Sequence, residues 1–398
     1  MKILVVSQYF WPDNFLINEI CEEFIKKGHA VTVLTGLPDY STTKIPSKYK
    51  YFKNRIEEHN GIRIIRVPTI ARRRGFFFRT LNYISFYICG KIYALTHKID
   101  CDVIYSYQTA PALMIEPARV FKKKLKKPLF IYVLDIWPDQ MKVWGVGEKN
   151  PLFRIVLRYC IKAYNSGDKI GITSKPFSEY LQKICKVPKE KIIYLPQHSS
   201  RMSVSKKRIN KKTIELTYAG NIGNQQNLQC FLKAVSVIST NNKYHVSIYG
   251  EGTSYADCVN LAKELGISKR VTFFGRVDKE KLAKAYADTD AFVLTLCSEK
   301  EIGFAANTVP AKLQGYMSTG KPILASIDGG GRDVINESRC GLAVASGDYV
   351  EFSKIIKRFI DNPKHYKALG RNGKEYFDEH YSKEVILTKQ EKILNGIL

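Results

Sequence analysis

Ile214-Glu215-Leu216-Thr217-Tyr218-Ala219-Gly220-Asn221-Ile222-Gly223-Asn224-Gln225-Gln226-Asn227 reads as a buried strand, a small-residue turn and the opening of an apolar-periodic helix. Such a turn leaves backbone N–H groups free at the start of a helix whose dipole adds partial positive charge, so a diphosphate binds there readily. It reads equally as a helix cap that holds nothing. On both sides of it, short apolar runs alternate with amphipathic, helix-length segments, the pattern of parallel sheets covered by helices. Upstream, strands are expected at 3–7, 30–35, 62–67, 103–107, 129–133, 169–173 and 192–195, and downstream at 214–218, 245–249, 271–274, 291–296 and 322–325. Between the two sets Ser199 to Lys212 is polar and basic and reads as a linker.

A chain of 398 residues also exceeds what one core usually holds. The expectation is therefore α/β, with two Rossmann-like, doubly wound parallel-sheet domains facing across a deep cleft. The boundaries are read as 1–205 and 206–379, with a helix over about 380–398 returning to the first domain. In open parallel sheets ligands sit at the carboxyl ends of the strands, so the loops there are where chemistry is sought.

Nine cysteines lie scattered with no pair at metal or redox spacing, which predicts reduced thiols and no metal site. The first residues, Met1 to Val6, read as a buried strand rather than a signal-peptide core. The formal charge of +26 is concentrated in part at Arg72, Arg73, Arg74 and Arg79, which flank Phe76, Phe77 and Phe78. A cationic collar beside an aromatic face fits the headgroup boundary of an anionic membrane, and the stretch is too interrupted to span one. An exposed face beside a core helix is the plainer reading. No nucleic-acid-binding motif accompanies the charge, and nucleic acid is not expected as a partner.

A second loop, Asn307-Thr308-Val309-Pro310-Ala311-Lys312, precedes a helix expected to begin at Pro310 with Thr308 as a candidate cap. Lys312 falls in the first turn, the wrong end of a helix for a cation, and so implies an anionic ligand. Several other motifs are discounted. Asp100-x-Asp102 and Asp288-x-Asp290 precede strands and read as turns. Gly250-x-Gly252 lacks the third glycine of a dinucleotide fingerprint. His29 and His245 stand at strand entrances, His198 near the domain crossing, and Trp144 is as readily core as acceptor groove.

The run from Pro310 through Lys312, Tyr316 and Met317 to Gly320-Lys321-Pro322 resembles the signature of family 4 retaining glycosyltransferases. Gly220 to Gln226 resembles that family's first phosphate loop. Gly28 to Gly36, Asp135 to Asp139, Tyr249 to Gly252 and Val271 to Val277 extend the likeness over nearly the full length. Within the family the chain is most similar to bacterial fucosamine-type transferases of capsule and O-antigen synthesis.

The resemblance implies a GT-B fold and a retaining, metal-independent hexosyltransferase of surface polysaccharide synthesis at the cytoplasmic face of the membrane. It implies no cofactor. The donor would be a UDP-sugar, such as UDP-N-acetyl-L-fucosamine, bound by the second domain. The acceptor would be a polyprenyl-diphosphate-linked saccharide, bound by the first. Gly220, Asn221, Gly223, Gln226, Arg276, Val277, Pro310 and Gly315 would contact the donor; Asp135, Lys312 and Asn307 would carry the chemistry; Asp13, Asn14 and Trp137 would line the first-domain cleft. The sequence departs from the pattern at four places. The paired glutamates fall on Asn307 and Gly315, an Arg and a Lys on Asn221 and Gln226, a histidine on Leu134, and a glycine pair on Asp13 and Asn14. A nucleotide-sugar 2-epimerase of the same fold and a catalytically silent subunit that binds lipid or a partner transferase are the alternatives.

Overall fold

The computed structural model describes residues 1–51, 53–73, 75–109, 111–204 and 213–398, with main chain only at Val143 and Trp144. Arg74 and residues 205–212 of the expected linker therefore lie outside the described residues. The chain folds as two units, Met1–Leu195 with Leu387–Leu398, and Pro196–Ile386.

The first unit holds β1 (Lys2–Val6), β2 (Ala30–Thr35), β3 (Ile56–His59), β4 (Ile62–Arg66), β5 (Val103–Gln108), β6 (Leu129–Val133), β7 (Lys169–Ile172) and β8 (Ile192–Tyr194). They form one sheet in the order β3-β4-β2-β1-β5-β6-β7-β8. All neighbours are parallel except β3, which pairs antiparallel with β4. Asn60 and Gly61 join that pair with both φ angles positive, 51° and 76°, the geometry of a tight hairpin turn. Helices α1 (Leu16–Lys26), α2 (Phe76–Thr96), α3 (Glu116–Leu125), α4 (Pro151–Asn165) and α5 (Pro176–Lys183) complete the alternation. Covered on both faces, the central strands are mostly apolar, and Ile3, Leu4, Val5 and Val6 of β1 are all buried.

In the second unit β9 (Ile214–Ala219), β10 (Tyr244–Tyr249), β11 (Val271–Gly275), β12 (Ala291–Thr295), β13 (Ile323–Ser326) and β14 (Gly341–Val344) make an all-parallel sheet. Its order is β11-β10-β9-β12-β13-β14. The helices are α6 (Leu228–Ser236), α7 (Tyr255–Glu264), α8 (Lys279–Asp288), α9 (Glu299–Ile302), α10 (Ala311–Ser318), α11 (Gly329–Ser338), α12 (Tyr349–Asp361) and α13 (Lys367–His380). The last helix, α14 (Lys383–Asn395), carries the chain back into the first unit. There Glu391 pairs with Lys27 and His29, both at 2.8 Å, and Lys389 Nζ donates to the Tyr194 carbonyl at 2.8 Å.

The strand order reverses beside β9 in the second unit and beside β1 in the first. The loops after β9 and β12, and after β1 and β5, thus splay apart at the carboxyl edge and leave a crevice in each unit. The amino edge carries the two discounted aspartate pairs. Asp102 accepts from the Lys2 N–H at 2.6 Å and Asp290 from the Glu215 N–H at 2.9 Å, so each pins the start of a strand.

Candidate active site

The loop after β9 is held from two sides. Gly220 N–H donates to the Tyr249 carbonyl and Ile222 N–H to the Glu251 carbonyl, both at 2.9 Å, which prolongs the β9–β10 pairing beyond the sheet. Side chains could not be fitted at this crossing, because a Cβ on Gly250 would lie 1.9 Å from the Gly220 carbonyl oxygen. Gln226 closes the loop from the other side, its Oε1 accepting from Gly223 N–H at 3.0 Å and Asn221 Nδ2 at 2.9 Å. This corrects the expectation of free N–H groups along the turn. Those of Gly220, Ile222 and Gly223 are already satisfied within the protein, and Gln226 acts as a clasp.

What stands over the turn is Lys312. Helix α10 begins at Ala311 with Pro310 as its cap residue, one position later than the sequence suggests, and Thr308 turns its hydroxyl back to the Ala305 carbonyl instead of capping. Lys312 and Tyr316, four residues apart, share one helix face. The Tyr316 hydroxyl donates to the Ala219 carbonyl at 2.8 Å and accepts from the Ala219 N–H at 2.9 Å, which fastens α10 to the end of β9. One turn earlier, Lys312 then crosses Gly220, where a Cβ would come within 2.4 Å of its Cε. Lys312 Nζ donates to the Tyr218 hydroxyl and, at 3.0 Å, to the Asn221 carbonyl, and sits 4.2 Å from the Tyr218 ring centre. The Tyr218 hydroxyl itself donates to the Asn221 carbonyl at 2.6 Å. Among the described residues no carboxylate pairs with Lys312. Burial lowers its pKa from 10.5 to about 7.

The remaining second-unit residues divide. Arg276 follows β11 and is exposed, while Val277 is half-buried against the core that contains Tyr249 and Tyr316. Asn307 Nδ2 donates to Glu299 Oε2 at 3.1 Å, and Glu301 caps α9 through Ser298. Gly315 is corrected from a donor contact to a packing position: it is buried, and a Cβ there would fall 2.3 Å from Met202 Cε.

In the first unit Asp135 lies two residues beyond β6, partly buried, with its main-chain carbonyl held by Gln108 Nε2 at 2.9 Å. Burial pushes its carboxyl up to about 6 against a hydrogen bond from Gln140 that favours the charged form. Trp137 is buried, at the wall of an apolar cavity. Asp13, expected to reach sugar or acceptor, is also corrected. Its two carboxylate oxygens accept from the Tyr40 and Ser41 N–H groups at 3.1 and 2.9 Å, so it latches the loop after β2. Asn14 beside it is exposed.

The basic stretch is not uniform either. Arg72 turns inward, with Nη1 donating to the Tyr9 hydroxyl at 2.8 Å and its guanidinium 5.5, 4.5 and 5.8 Å from the rings of Tyr9, Tyr40 and Tyr83. It is a cation in an aromatic cage rather than part of a membrane collar. Arg73 is exposed and Arg79 half-buried, and neither pairs with a carboxylate among the described residues. Phe76 and Phe77 are 57% and 67% exposed, and Phe78 is half-buried. Helix α2 buries Asn82, Phe86, Gly90 and Ala94 on one face and exposes Ile84, Ile88, Ile92 and Leu95 on another. Among the described residues no helix is long and apolar enough to cross a membrane.

Two families match consecutive parts of the chain: Glycosyltransferase Family 4 over residues 15–197 and Glycosyl transferases group 1 over residues 201–376. The chain belongs to these group 1, family 4 glycosyltransferases. Its fold is the family's GT-B arrangement of two Rossmann-like parallel-sheet domains. It is 24% identical over 269 residues to the GalNAc-alpha-(1->4)-GalNAc-alpha-(1->3)-diNAcBac-PP-undecaprenol alpha-1,4-N-acetyl-D-galactosaminyltransferase of Campylobacter jejuni, covering 64% of this chain and 70% of that enzyme. It is 21% identical over 343 residues to the putative colanic acid biosynthesis glycosyl transferase WcaI of Escherichia coli, covering 80% and 82%. Other curated relatives are matched over less than half of their length. Among solved structures, Anabaena Alr3699/HepE in complex with UDP superposes with a TM-score of 0.71 at 13% identity, covering all of both chains.

Two further residues of this glycosyltransferase had no assigned role in the sequence. Tyr218 is the penultimate residue of a buried strand, and nothing in the pattern separates it from a core tyrosine. Asp39 is buried after β2, accepts from Arg72 N–H at 2.8 Å and Asn82 Nδ2 at 2.9 Å, and is nevertheless pushed up to about 6 by burial. Its partners are distant in sequence, so only the fold reveals it.

Proposed function

We propose that the protein is a retaining, metal-independent glycosyltransferase. In this reading it moves a sugar from a UDP donor to a polyprenyl-diphosphate-linked saccharide at the cytoplasmic face of a membrane, in surface polysaccharide synthesis. The observation that carries this reading is Lys312, an amine with no carboxylate partner among the described residues, poised over a glycine at the switch point of the sheet. A partly buried amine without a counter-ion gives up its charge readily, and a diphosphate would favour the charged form. The relatives named above support the rest, since one is named for a polyprenyl-diphosphate acceptor, one for colanic acid synthesis, and one carries UDP. A deoxy acetamido sugar such as N-acetyl-L-fucosamine is the donor sugar we favour, because neutral Asn221 and Gln226 stand where the family has cations.

In the step itself the bond from the anomeric carbon to the leaving phosphate oxygen breaks. That oxygen takes the acceptor hydroxyl's proton, and the new bond forms on the face that was vacated. Lys312 stabilises charge on the leaving diphosphate as it develops. Arg276 and Val277 lie by the nucleobase, and Asp135 accepts a hydrogen bond from the donor sugar. The exposed face of α2, with Arg73 and Arg79, rests on anionic headgroups, each basic residue contributing roughly 1 kcal/mol.

A thermal-shift and calorimetry screen against UDP, GDP, ADP and the UDP-linked forms of N-acetylfucosamine, N-acetylquinovosamine and N-acetylglucosamine tests the reading. Micromolar binding of UDP with a preference for one sugar is expected. Binding of none would move the conclusion to the silent subunit, which the loss of both glutamates at Asn307 and Gly315 favours.

A further inference from the structure

Between the first turns of α2, the turn after β5, the loop after β6 and α4 lies a cavity of about 200 Å³. Tyr83 and Ile84 of α2, Leu113, Trp137, and Val156 and Tyr159 of α4 wall it, and among the described residues the one charged side chain in its lining is Arg79. A hole so apolar on the surface of a folded unit invites hydrocarbon. Its mouth continues outward over apolar side chains, with Phe76, Ile84 and Leu152 at 57%, 39% and 52% exposure and Phe77 and Ile88 beyond them. Arg79, unpaired among the described residues, places positive charge beside this apolar path.

We propose that the cavity receives the isoprenyl units next to the diphosphate of the acceptor, and that Arg79 holds that diphosphate. The inference rests on the reading of the acceptor as polyprenyl-linked. Hydrocarbon enters from the membrane side along α2, and a phosphate anion meets the guanidinium at the edge, the arrangement an amphiphile with a charged neck requires. Bulk acyl lipid would satisfy the apolar walls alone. The unpaired arginine in the lining favours a ligand whose phosphate directly follows the chain. Trp137 is two residues from Asp135, so their Cα atoms are within about 7 Å. A lipid seated here therefore brings the sugar nearest the diphosphate, not a remote one, toward Asp135.

The test uses the full chain and farnesyl phosphate below its micelle concentration, with farnesol and a palmitoyl lysophospholipid as comparison probes. Val156→Trp fills the cavity from α4 and Thr80→Trp from α2, so that one remains informative if the other fails to fold. Either should weaken farnesyl phosphate binding about ten-fold or more by displacing apolar contact. Arg79→Gln should weaken it several-fold and leave farnesol unaffected. Ile92→Asp, on the exposed stripe away from the cavity, should change neither. Wild-type affinity in both tryptophan variants would overturn the proposal, as would lysophospholipid that competes as well as farnesyl phosphate. Sugar transfer to a water-soluble saccharide acceptor should be unchanged in Ile92→Asp, which lies outside the cavity lining. Loss of all transfer in the wild type would instead refute the enzyme reading, while farnesyl phosphate binding would still report on the cavity.

Discussion

With the Lys312 pKa near 7, roughly nine-tenths of the unliganded molecules carry a neutral amine at pH 8. A diphosphate placed against Nζ reverses this, since an opposite charge within about 4–6 Å favours the protonated form. Binding of UDP at pH 8 should therefore draw about 0.9 proton from the buffer, and affinity should fall about ten-fold per pH unit above 7 until the pKa of the complex is reached. Calorimetry in two buffers of different ionisation enthalpy reads the proton directly from the difference in apparent binding enthalpy. Lys312→Met keeps the apolar stem, removes the uptake, and should lower kcat/KM by about 2–4 kcal/mol, the loss of one charge-assisted contact to a leaving group. Folding runs with its own sign. Because the folded pKa lies below the unfolded value, the unfolded chain binds more protons between about pH 7 and 10.5, and the unliganded protein gains stability as pH rises through that window. Tight UDP binding at pH 8 with a buffer-independent enthalpy would refute the reasoning, for it would mean that the diphosphate does not meet Lys312.

Asp135 should show the opposite linkage. Its folded pKa of about 6 lies above the ordinary 3.8, so the penalty of its charge is present above pH 6 and gone below about 4. Asp135→Asn should accordingly raise stability in urea melts by about 1–3 kcal/mol at pH 7.5 but not at pH 3.5, while cutting sugar transfer. Gly250→Ala puts a Cβ into the Gly220 carbonyl at a φ of 128°, and thermal melts should show a loss of about 2–4 kcal/mol together with weakened UDP binding. Arg72→Leu empties the aromatic cage and should cost about 2–3 kcal/mol of stability without changing flotation with anionic vesicles. Arg73→Gln with Phe77→Ser should do the reverse, weakening vesicle partitioning by about 2 kcal/mol, or about thirty-fold, with unchanged melting.

The parallel strands of both sheets were legible because most are buried on both faces and so stand out as short, largely apolar runs between helix-length segments. β3 and β14 were not. Ile56-Glu57-Glu58-His59 is an edge strand with a charged face, and Gly341-Leu342-Ala343-Val344 is short and glycine-led, so neither carries that signature. The Asn60-Gly61 turn was the available clue to β3, since that pair favours the positive φ angles found there. At the site, sequence pointed to Lys312 and Gly220 because a cation at a helix start and a glycine after a strand each violate a local preference. It misplaced Asp13 and Arg72, whose types suit a ligand or a membrane, because their partners Tyr40, Ser41, Tyr9 and Tyr83 come from other segments and only folding brings them together. Gly315 failed for a related reason: a glycine's role depends on what occupies the space it leaves, and Met202 lies over a hundred residues away in the chain.

The departures from the family pattern belong together electrostatically. Two cations of the first phosphate loop are replaced by Asn221 and Gln226, and two carboxylates by Asn307 and Gly315, so the formal charge of these loops is unchanged. Each neutral replacement is also engaged. Asn221 and Gln226 bond to one another at 2.9 Å, Asn307 bonds to Glu299, and Met202 occupies the space above Gly315. A glutamate at 315 would stand one helical turn from Lys312, at the spacing where such residues pair, and would offer it a counter-ion. Glycine there leaves Lys312 unneutralised. Random decay of a site no longer under selection has no reason to remove charges in balancing pairs, to satisfy the groups that replace them, or to keep the costly lysine. Matched replacement around a retained lysine suits the different donor proposed above, whose diphosphate would supply the negative charge that carboxylates at 307 and 315 would otherwise provide.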